Sequence, residues 1–144
     1  MIPRSFYFLR HGETDWNKQG LLQGHTNIPL NETGRRQARE IIPVLEKLPI
    51  DRIIASTLSR AQETAQIVNA VLNKPFAEDS QLWERHFGDF EGKTVDVIAA
   101  MKESANGENE ENGYPCPPNA ESYADLKADM EKQEGNFSQF NQIL

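Results

Sequence analysis

The sequence predicts an α/β fold with a mostly parallel central sheet, and two apolar runs indicate it. Residues 5–9 and 51–55 each end in a short apolar run, and each run is followed at once by polar residues. Runs of this length, bounded by polar and glycine-containing stretches, are typical of buried strands. Segments with helical apolar spacing follow, as expected for a sheet with parallel strands. Ligands bind at the carboxyl ends of strands in such sheets, so the residues after each run are candidate site residues.

The first run ends in Arg10-His11-Gly12, which combines three residue types that suit phosphate chemistry. Arginine offers a planar, permanently charged fork that matches phosphate oxygens. Histidine is readily held as a nucleophile near neutral pH. Glycine allows a sharp turn and close approach of the backbone to a ligand. A three-residue motif occurs often by chance, so its significance depends on the residues that follow it.

Residues 12–30 are expected to form a loop, and a helix is expected to follow it. Asn31 or Thr33 can cap this helix, and Pro49 ends it. Its apolar residues recur at helical spacing and are predicted to form one buried stripe, namely Ala38, Ile41, Ile42, Leu45 and Leu48.

A second helix is expected to begin near Ser59, after the second predicted strand. Ser59 and Gln62 fit a capping box, and Lys74-Pro75 closes the helix. Its predicted inward residues are Ala61, Ala65, Val68, Val71 and Leu72. The remaining segments are predicted as an extended stretch at 76–82, a helix at 95–101, an exposed loop at 105–119 and a helix at about 122–132.

Many ordered positions then match one family. They are Leu9-Arg10-His11-Gly12-Glu13-Thr14, Asn17, Gln23-Gly24, Pro29-Leu30, Gly34, Gln37-Ala38, Ser56, Ser59-Arg60-Ala61, Thr64-Ala65, Glu84, Phe87-Gly88 and Glu91-Gly92. From about Phe6 to Ser122 the chain resembles the histidine phosphatase superfamily, the phosphoglycerate mutase-like phosphatases and mutases. The resemblance implies a three-layer α/β/α sandwich, here one domain over residues 1–144 that is incomplete at its C-terminus.

The resemblance also implies roles for the site residues. His11 is the expected catalytic nucleophile, with its other ring nitrogen held as a donor by a backbone carbonyl. Glu84 is the expected acid that protonates the leaving group. The expected ligands of the substrate phosphate are Arg10, Arg60, Asn17, Gln23 and Gly24. For the amide side chains in the loop, contacts within a turn are an equally supported alternative.

Two bulky neighbours of Glu84, Trp83 and Phe87, are expected to shield it partly from water, as an acid working near neutrality requires. Glu91-Gly92 matches the family's second, structural Glu-Gly pair. No metal and no cofactor are expected, because no His/Cys/Asp cluster has the spacing of metal ligands.

Residues 84–88, Glu-Arg-His-aromatic-Gly, resemble the mutase branch of the family, which keeps a mutase activity open. His86 within this string is interpreted as a surface or pocket-wall residue, because it matches no catalytic histidine of the family's phosphatases.

The family's second histidine has no counterpart here. The family places a further His-Gly pair after the last helix, whereas this sequence contains only His11, His25 and His86, and its residues 133–144 are polar and amide-rich. His25 is not expected to replace it, since its loop position does not match. We expect that one or more C-terminal strands are missing, which leaves a sheet edge open to homodimerisation, strand exchange or aggregation.

Composition excludes several classes of function. No apolar stretch approaches the ~20 residues of a membrane helix, and no signal peptide is recognisable at the N-terminus. The single cysteine fits a reducing cytoplasm. With a net charge of −7 and no basic stripe, the chain is a poor candidate for nucleic-acid binding. The expected partner is therefore a small phosphorylated metabolite.

Three functions fit these observations. The first is a phosphomonoester hydrolase that acts through a phosphohistidine on His11, impaired if the second histidine is truly missing. The alternatives are a phosphoglycerate mutase-type phosphotransferase and a non-catalytic remnant that binds phosphorylated ligands.

Overall fold

The computed structural model describes residues 6–104, 110–111, 114–115, 119–122, 124–125 and 127–128. The helices are α1 (Asp15–Gln19), α2 (Glu32–Glu40), α3 (Ile42–Leu45), α4 (Ser59–Leu72) and α5 (Val95–Ser104). The strands are β1 (Ile53–Ser56), β2 (Phe76–Asp79), β3 (Glu110–Glu111) and β4 (Tyr114–Pro115). Single 3₁₀ turns lie at Ser80–Leu82 and Gly88–Phe90.

The centre of the molecule is a parallel strand pair with α4 as its crossover. β1 pairs with β2 in parallel, from Ile53 opposite Phe76 to Ser56 opposite Asp79. All four residues of β1 are buried, whereas β2 is largely exposed. The predicted parallel α/β arrangement is therefore confirmed, with β1 beginning two residues later than expected.

The apolar core lies where α3 and α4 pack on β1. Its buried members are Ile42, Leu45, Ile50, Ile53, Ala55, Ala65 and Val68. Most of the predicted inward residues of the two helices contribute, but Val71 is 53% exposed, so its predicted inward position is wrong. On α4, Val68 faces β1 whereas Val71, three residues later, lies at the margin of the packed face.

The first predicted strand differs from expectation. Residues 6–9 are in no strand within the described part of the chain. Tyr7 and Leu9 pack against the core, but Phe6 and Phe8 are 64% and 79% exposed. Side chains alternate between the two faces of an extended segment. Only one face is covered by described residues, so the predicted buried strand is not observed at residues 6–9.

The predicted loop at 12–30 contains a short helix. Thr14 caps α1, because its hydroxyl accepts a hydrogen bond from the Asn17 N–H (3.1 Å) while the Asn17 side chain accepts one from the Thr14 N–H (3.0 Å). Five residues are too few for an apolar periodicity to show, which is why the sequence predicted only a loop.

The helix predicted after the loop at 12–30 is split into α2 and α3. Asn31 caps α2 as predicted, its Oδ1 accepting from the Gly34 N–H at 2.9 Å. Pro43 falls within the first two residues of α3, and its ring removes one backbone donor, so the continuous helix ends near Ile41.

Helix α4 confirms the predicted helix after the second strand, but not its cap. Its N-cap is Leu58, which makes no side-chain capping hydrogen bond, so the predicted capping box at Ser59 is wrong. The helix ends where expected, with Asn73 in the left-handed region at φ 49°. The predicted helix at 95–101 is confirmed and extends to Ser104.

The last quarter of the chain is described in part. β3 and β4 form a two-residue antiparallel ladder within the predicted loop at 105–119, whose other residues, except Asn119, lie outside the described residues. Residues 124–125 and 127–128 are helical, and the Ser122 hydroxyl accepts from the Asp125 N–H at 3.0 Å. The rest of that predicted helix and the polar tail at 133–144 lie outside the described residues. No helix in the described part is long and apolar enough to span a membrane.

Two valines on α4 allow a matched test of the core. Val68→Ala should lower the free energy of unfolding by about 2 kcal/mol, because it removes buried methyl groups and leaves a cavity. Val71→Ala, the same substitution at an exposed position of the same helix, should change it by less than about 0.5 kcal/mol. Urea unfolding measures both, and equal effects would contradict this core.

Candidate active site

The His11 ring is held by the backbone of the next residue. Its Nδ1 lies 2.7 Å from the carbonyl oxygen of Gly12. A carbonyl oxygen only accepts, so Nδ1 must carry the hydrogen of this bond. In the neutral ring Nε2 is then the unprotonated nitrogen. A backbone carbonyl thus holds one ring nitrogen as a donor, which is the contact expected for a nucleophilic histidine.

The turn that carries His11 is fixed by two helices. The Gly12 N–H donates to the hydroxyl of Thr64 on α4 at 3.1 Å, and this hydroxyl donates to the Arg60 carbonyl at 2.7 Å. A Cβ on Gly12 would lie 2.4 Å from the carbonyl oxygen of Gly34 on α2, which is too close for any side chain. Glycine is therefore required where the turn crosses α2.

The surroundings of His11 favour its neutral form. Burial lowers the pKa of His11 and outweighs the Gly12 carbonyl, which raises it. The positive charges of Arg60 and Arg10 lower the pKa further, and the negative charge of Glu84 raises it. The net pKa lies below the ordinary histidine value, so the ring is neutral at pH 7. The same interactions show that the structure brings these four predicted site residues together.

Arg60 is almost fully buried, at 2% exposure. Its Nη2 donates to the Gly24 carbonyl at 2.7 Å and its Nη1 to the Thr26 carbonyl at 3.0 Å. No carboxylate of the described residues lies within ion-pair distance of it. Burial lowers the pKa of Arg60, partly offset by Glu84 and Glu91, but guanidinium remains charged at neutral pH. A buried cation without a carboxylate partner favours binding of an anion.

Arg10 and Glu84 lie at the exposed side of this cluster. The Glu84 carboxylate accepts from the Arg85 N–H at 3.2 Å. Trp83 is itself 40% exposed, and its indole N–H donates to the Thr57 hydroxyl. The expected shielding of Glu84 from water is therefore wrong in this structure, because its aromatic neighbour is turned to a different contact.

Asn17 and Gln23 use their side-chain oxygens inside the protein. The buried Thr14 hydroxyl lies 3.1 Å from Asn17 Oδ1 and 2.6 Å from Gln23 Oε1. These are the turn contacts that the sequence left open as an alternative. Neither amide nitrogen has a hydrogen-bond partner among the described residues, and no buried side-chain nitrogen there is unpaired, so both nitrogens reach solvent.

Residues 24–26 form a loop that is held by hydrogen bonds to Glu91. The Glu91 side chain is only 10% exposed. Its Oε1 accepts from the N–H groups of His25 (2.9 Å) and Phe87 (3.0 Å), and its Oε2 from the Thr26 N–H (2.9 Å) and the Thr26 hydroxyl. The structural role that the resemblance implied for Glu91 thus takes the form of a clamp on the loop.

These bonds set the charge state of Glu91. Burial alone would raise the pKa of its carboxyl group. The hydrogen bonds from the Thr26 hydroxyl and from the backbone N–H groups of His25, Phe87 and Thr26 favour the ionised form and outweigh burial, so the pKa is lowered.

The two other histidines lie beside the clamp. The His25 ring meets Trp83 and His86 edge to face, with centroid distances of 4.7 and 4.8 Å. His86 Nδ1 accepts from the Gly88 N–H at 3.1 Å, and its Nε2 lies 4.0 Å from Glu91. The described residues contain no group of three or more side chains suited to hold a metal ion.

The sequence argument gave no role to three threonines that build this site. Thr64 lies four residues after Arg60 on α4, so helical spacing from the arginine could have indicated it. Thr14 and Thr26 carry no such signal, because the contact between Thr26 and Glu91 spans 65 residues.

Comparison with known proteins decides the family. The model of the histidine phosphatase superfamily (branch 1) matches residues 6–133. The chain belongs to this superfamily. Over 88 residues it is 48% identical to the uncharacterized phosphatase PhoE of Bacillus subtilis, and this match covers 61% of this chain and 46% of PhoE. Over 99 residues it is 44% identical to the phosphoglycerate mutase-like protein 4 of Arabidopsis thaliana, covering 67% of this chain and 43% of that protein. The chain thus spans less than half the length of these relatives.

A solved structure of a histidine phosphatase relative has the same fold. The mycobacterial glucosyl-3-phosphoglycerate phosphatase, solved in complex with VO3, superposes with a TM-score of 0.80 at 31% identity. The match covers 95% of this chain and 66% of that one. The predicted phosphoglycerate mutase-like α/β fold class is therefore confirmed, whereas the missing C-terminal strands stay a prediction.

The titration of His11 tests the electrostatics of this histidine phosphatase site. Its pKa should lie below the ordinary value of about 6.5, and Arg60→Met should raise it, because the substitution removes a nearby positive charge and admits water. NMR of the ring protons against pH, assigned with His11→Ala, measures this. Arg36→Met, at an exposed arginine that pairs with Glu40 at 3.5 Å, is the matched control and should leave the pKa unchanged. An unchanged pKa of His11 in Arg60→Met would contradict this arrangement of charges.

Acid should weaken the fold through Glu91. Because its pKa is lower in the folded state, its contribution to stability is fully present above the unfolded pKa of about 4.3 and is lost as the pH falls through the folded pKa. Glu91→Gln should therefore cost about 2 kcal/mol or more at pH 7 and progressively less in acid. Urea unfolding across pH measures this. Glu40→Gln, at an exposed carboxylate, should change stability by less than about 1 kcal/mol throughout. A pH-independent cost of Glu91→Gln would contradict the role of its charge.

Proposed function

We propose that this chain hydrolyses phosphate monoesters through a phosphohistidine at Nε2 of His11. The observation that carries the proposal is the hydrogen bond from Nδ1 to the Gly12 carbonyl. It leaves Nε2 unprotonated at neutral pH, in a ring whose pKa burial and two arginines lower. An unprotonated imidazole nitrogen next to a buried guanidinium, which has no carboxylate of the described residues within ion-pair distance, is suited to attack a bound phosphate group.

The first step transfers the phosphoryl group to the protein. Nε2 of His11 attacks phosphorus in line, so that an N–P bond forms while the ester P–O bond breaks. The leaving oxygen takes a proton from the carboxylic acid of Glu84, whose protonated form is favoured by the negative charge of the phosphate group bound next to it rather than by shielding from water. Arg10 and Arg60 bind the non-bridging oxygens and stabilise their charge in the transition state.

The second step returns the protein to its starting state. Glu84, now a carboxylate, takes a proton from a water molecule whose oxygen attacks phosphorus. The N–P bond breaks, inorganic phosphate leaves, and His11 is neutral again with its hydrogen still on Nδ1. The exposed position of Glu84 suits this step, because water reaches it directly.

The oxygens of the bound phosphate group need further donors. The amide nitrogens of Asn17 and Gln23, which reach solvent, and the backbone at Gly24 are the proposed ones. A small phosphorylated metabolite is the proposed substrate class, and the relatives named as phosphatases support hydrolysis. The substrates of the whole protein are part of the proposal, since this chain covers less than half of its relatives' length.

A mutase activity is a second candidate. It is favoured by the Glu-Arg-His-Phe-Gly string at residues 84–88 and by the relative named phosphoglycerate mutase-like protein 4. In that case the phosphohistidine passes its phosphoryl group to a hydroxyl of a second substrate molecule instead of water. Incubation with a phosphoglycerate separates the two, because a phosphatase releases inorganic phosphate and a mutase yields an isomer.

Hydrolysis of p-nitrophenyl phosphate tests the proposal. His11→Ala should abolish turnover, and Arg60→Met should lower kcat/KM by about a hundredfold, because it removes a donor to charge that develops in the transition state. Arg36→Met should have no effect. Phosphohistidine trapped by denaturation in base and detected by ³¹P NMR should appear in the wild type and be absent from His11→Ala.

A folded wild-type chain that neither turns over the ester nor becomes phosphorylated would overturn the enzyme proposal. Stabilisation of such a chain by inorganic phosphate would then support the non-catalytic, ligand-binding alternative.

A further inference from the structure

One peptide group lies between two opposite charges. The carbonyl of Gly24 accepts from Arg60 Nη2 at 2.7 Å, and the N–H of the same peptide, on His25, donates to Glu91 Oε1 at 2.9 Å. In a trans peptide the C=O and N–H groups point in opposite directions. The guanidinium and the carboxylate therefore hold this peptide from its two sides and form an ion pair with a peptide between them.

Thr26 connects the same two charges through a whole residue. Its carbonyl accepts from Arg60 Nη1 at 3.0 Å, while its N–H, which belongs to the preceding peptide, and its hydroxyl donate to Glu91 Oε2. Both oxygens of the carboxylate thus bind the loop on one side, and both terminal nitrogens of the guanidinium bind it on the other. The two bonds from the guanidinium fix the plane of Arg60 as well as its position, and three bonds from the loop to Glu91 hold the loop itself.

The loop fits closely against the carboxylate. Gly24 has φ +54°, and a Cβ there would lie 2.1 Å from Glu91 Oε1 and 3.0 Å from the Arg85 carbonyl oxygen. Any side chain at this position would push the loop away from Glu91. The glycine is required because the carboxylate approaches the backbone itself.

We propose that Glu91 is a positioning residue for phosphate binding, which fixes the guanidinium of Arg60 through the backbone of residues 24–26. The proposal rests on the proposed function in so far as Arg60 is the ligand of the phosphate group.

The physical argument is that the two sets of hydrogen bonds support each other. An N–H that donates to a carboxylate polarises its peptide, so the carbonyl of that peptide becomes a better acceptor for the guanidinium. Glu91 also meets His86 Nε2 at 4.0 Å, but the loop supplies most of its hydrogen bonds. Glutamine in its place has only one acceptor oxygen and sets an NH₂ group against backbone N–H donors. The loop carbonyls then move, and Arg60 moves with them.

A double-mutant cycle with inorganic phosphate as the probe tests this route. Calorimetry should show that Glu91→Gln and Arg60→Met each weaken phosphate binding by about tenfold or more. The double variant should bind no more weakly than Arg60→Met alone, because the effect of Glu91 passes through Arg60. Effects that multiply in the double variant would overturn the proposal. Thermal melting verifies that each variant is folded.

The titration of His11 gives a second readout that needs no ligand. The groups that act on His11 are Arg60, Arg10, Glu84 and the Gly12 carbonyl. Loss of a negative charge at Glu91 would by itself lower the pKa of His11, whereas release of Arg60 should raise it. We expect Glu91→Gln to raise this pKa in the wild-type background and to lower it slightly in the Arg60→Met background, where only the loss of the negative charge acts. A fall of the pKa in the wild-type background, or a rise in the Arg60→Met background, would overturn the proposal.

Thr26 provides a milder variant if Glu91→Gln does not fold. Thr26→Val removes one donor to Glu91 and keeps the branched shape, and Thr26→Ser retains the hydroxyl. The valine variant should raise the pKa of His11 and weaken phosphate binding, and the serine variant should restore both; equal behaviour of the two would overturn the proposal. If wild-type protein binds no phosphate, the proposed function fails, while the pKa of His11 still decides the role of Glu91.

Discussion

The site depends on one constraint, the burial of Arg60 with no carboxylate in ion-pair contact in the part of the chain that the structure describes. Taking a guanidinium out of water is unfavourable unless its N–H groups are bonded. Here two loop carbonyls, from Gly24 and Thr26, accept hydrogen bonds from the guanidinium without neutralising the charge of Arg60. A carboxylate in direct contact would have satisfied the same donors and cancelled the field that an anionic ligand needs. Glu91 instead stabilises the cation indirectly, because it binds the N–H groups of the loop whose carbonyls bind Arg60.

Helix α4 joins the core to the site. One of its faces carries Ala65 and Val68, which pack on β1, while Arg60 and Thr64 lie one turn apart beside the His11 turn. Four-residue spacing puts the guanidinium and the hydroxyl on the same side of the helix. The free energy of packing this helix therefore also sets where the histidine and its neighbouring charge lie.

The sequence predicted much of this arrangement, and its failures have physical causes. The parallel strands, α4 and the grouping of Arg10, His11, Arg60 and Glu84 followed from apolar runs, spacing and family resemblance. The strand at residues 5–9 was predicted from its apolar character, but whether a face of such a segment is covered depends on its neighbours in space. The predicted cap of α4 failed because the Ser59 N–H donates to Asn27 Oδ1 at 2.8 Å, a side chain 32 residues earlier that local spacing does not indicate.

The chain alone shows which residue types follow each apolar run, since runs and spacing are local properties of the sequence. Only the tertiary structure shows that His11 is held neutral and that the guanidinium of Arg60 is held in place. The lowered pKa of His11 comes from burial and from charges on other elements, and Arg60 is fixed through a loop by a carboxylate 31 residues away along the chain. Hydrogen bonds and Coulomb interactions depend on distance in space, which no local pattern contains.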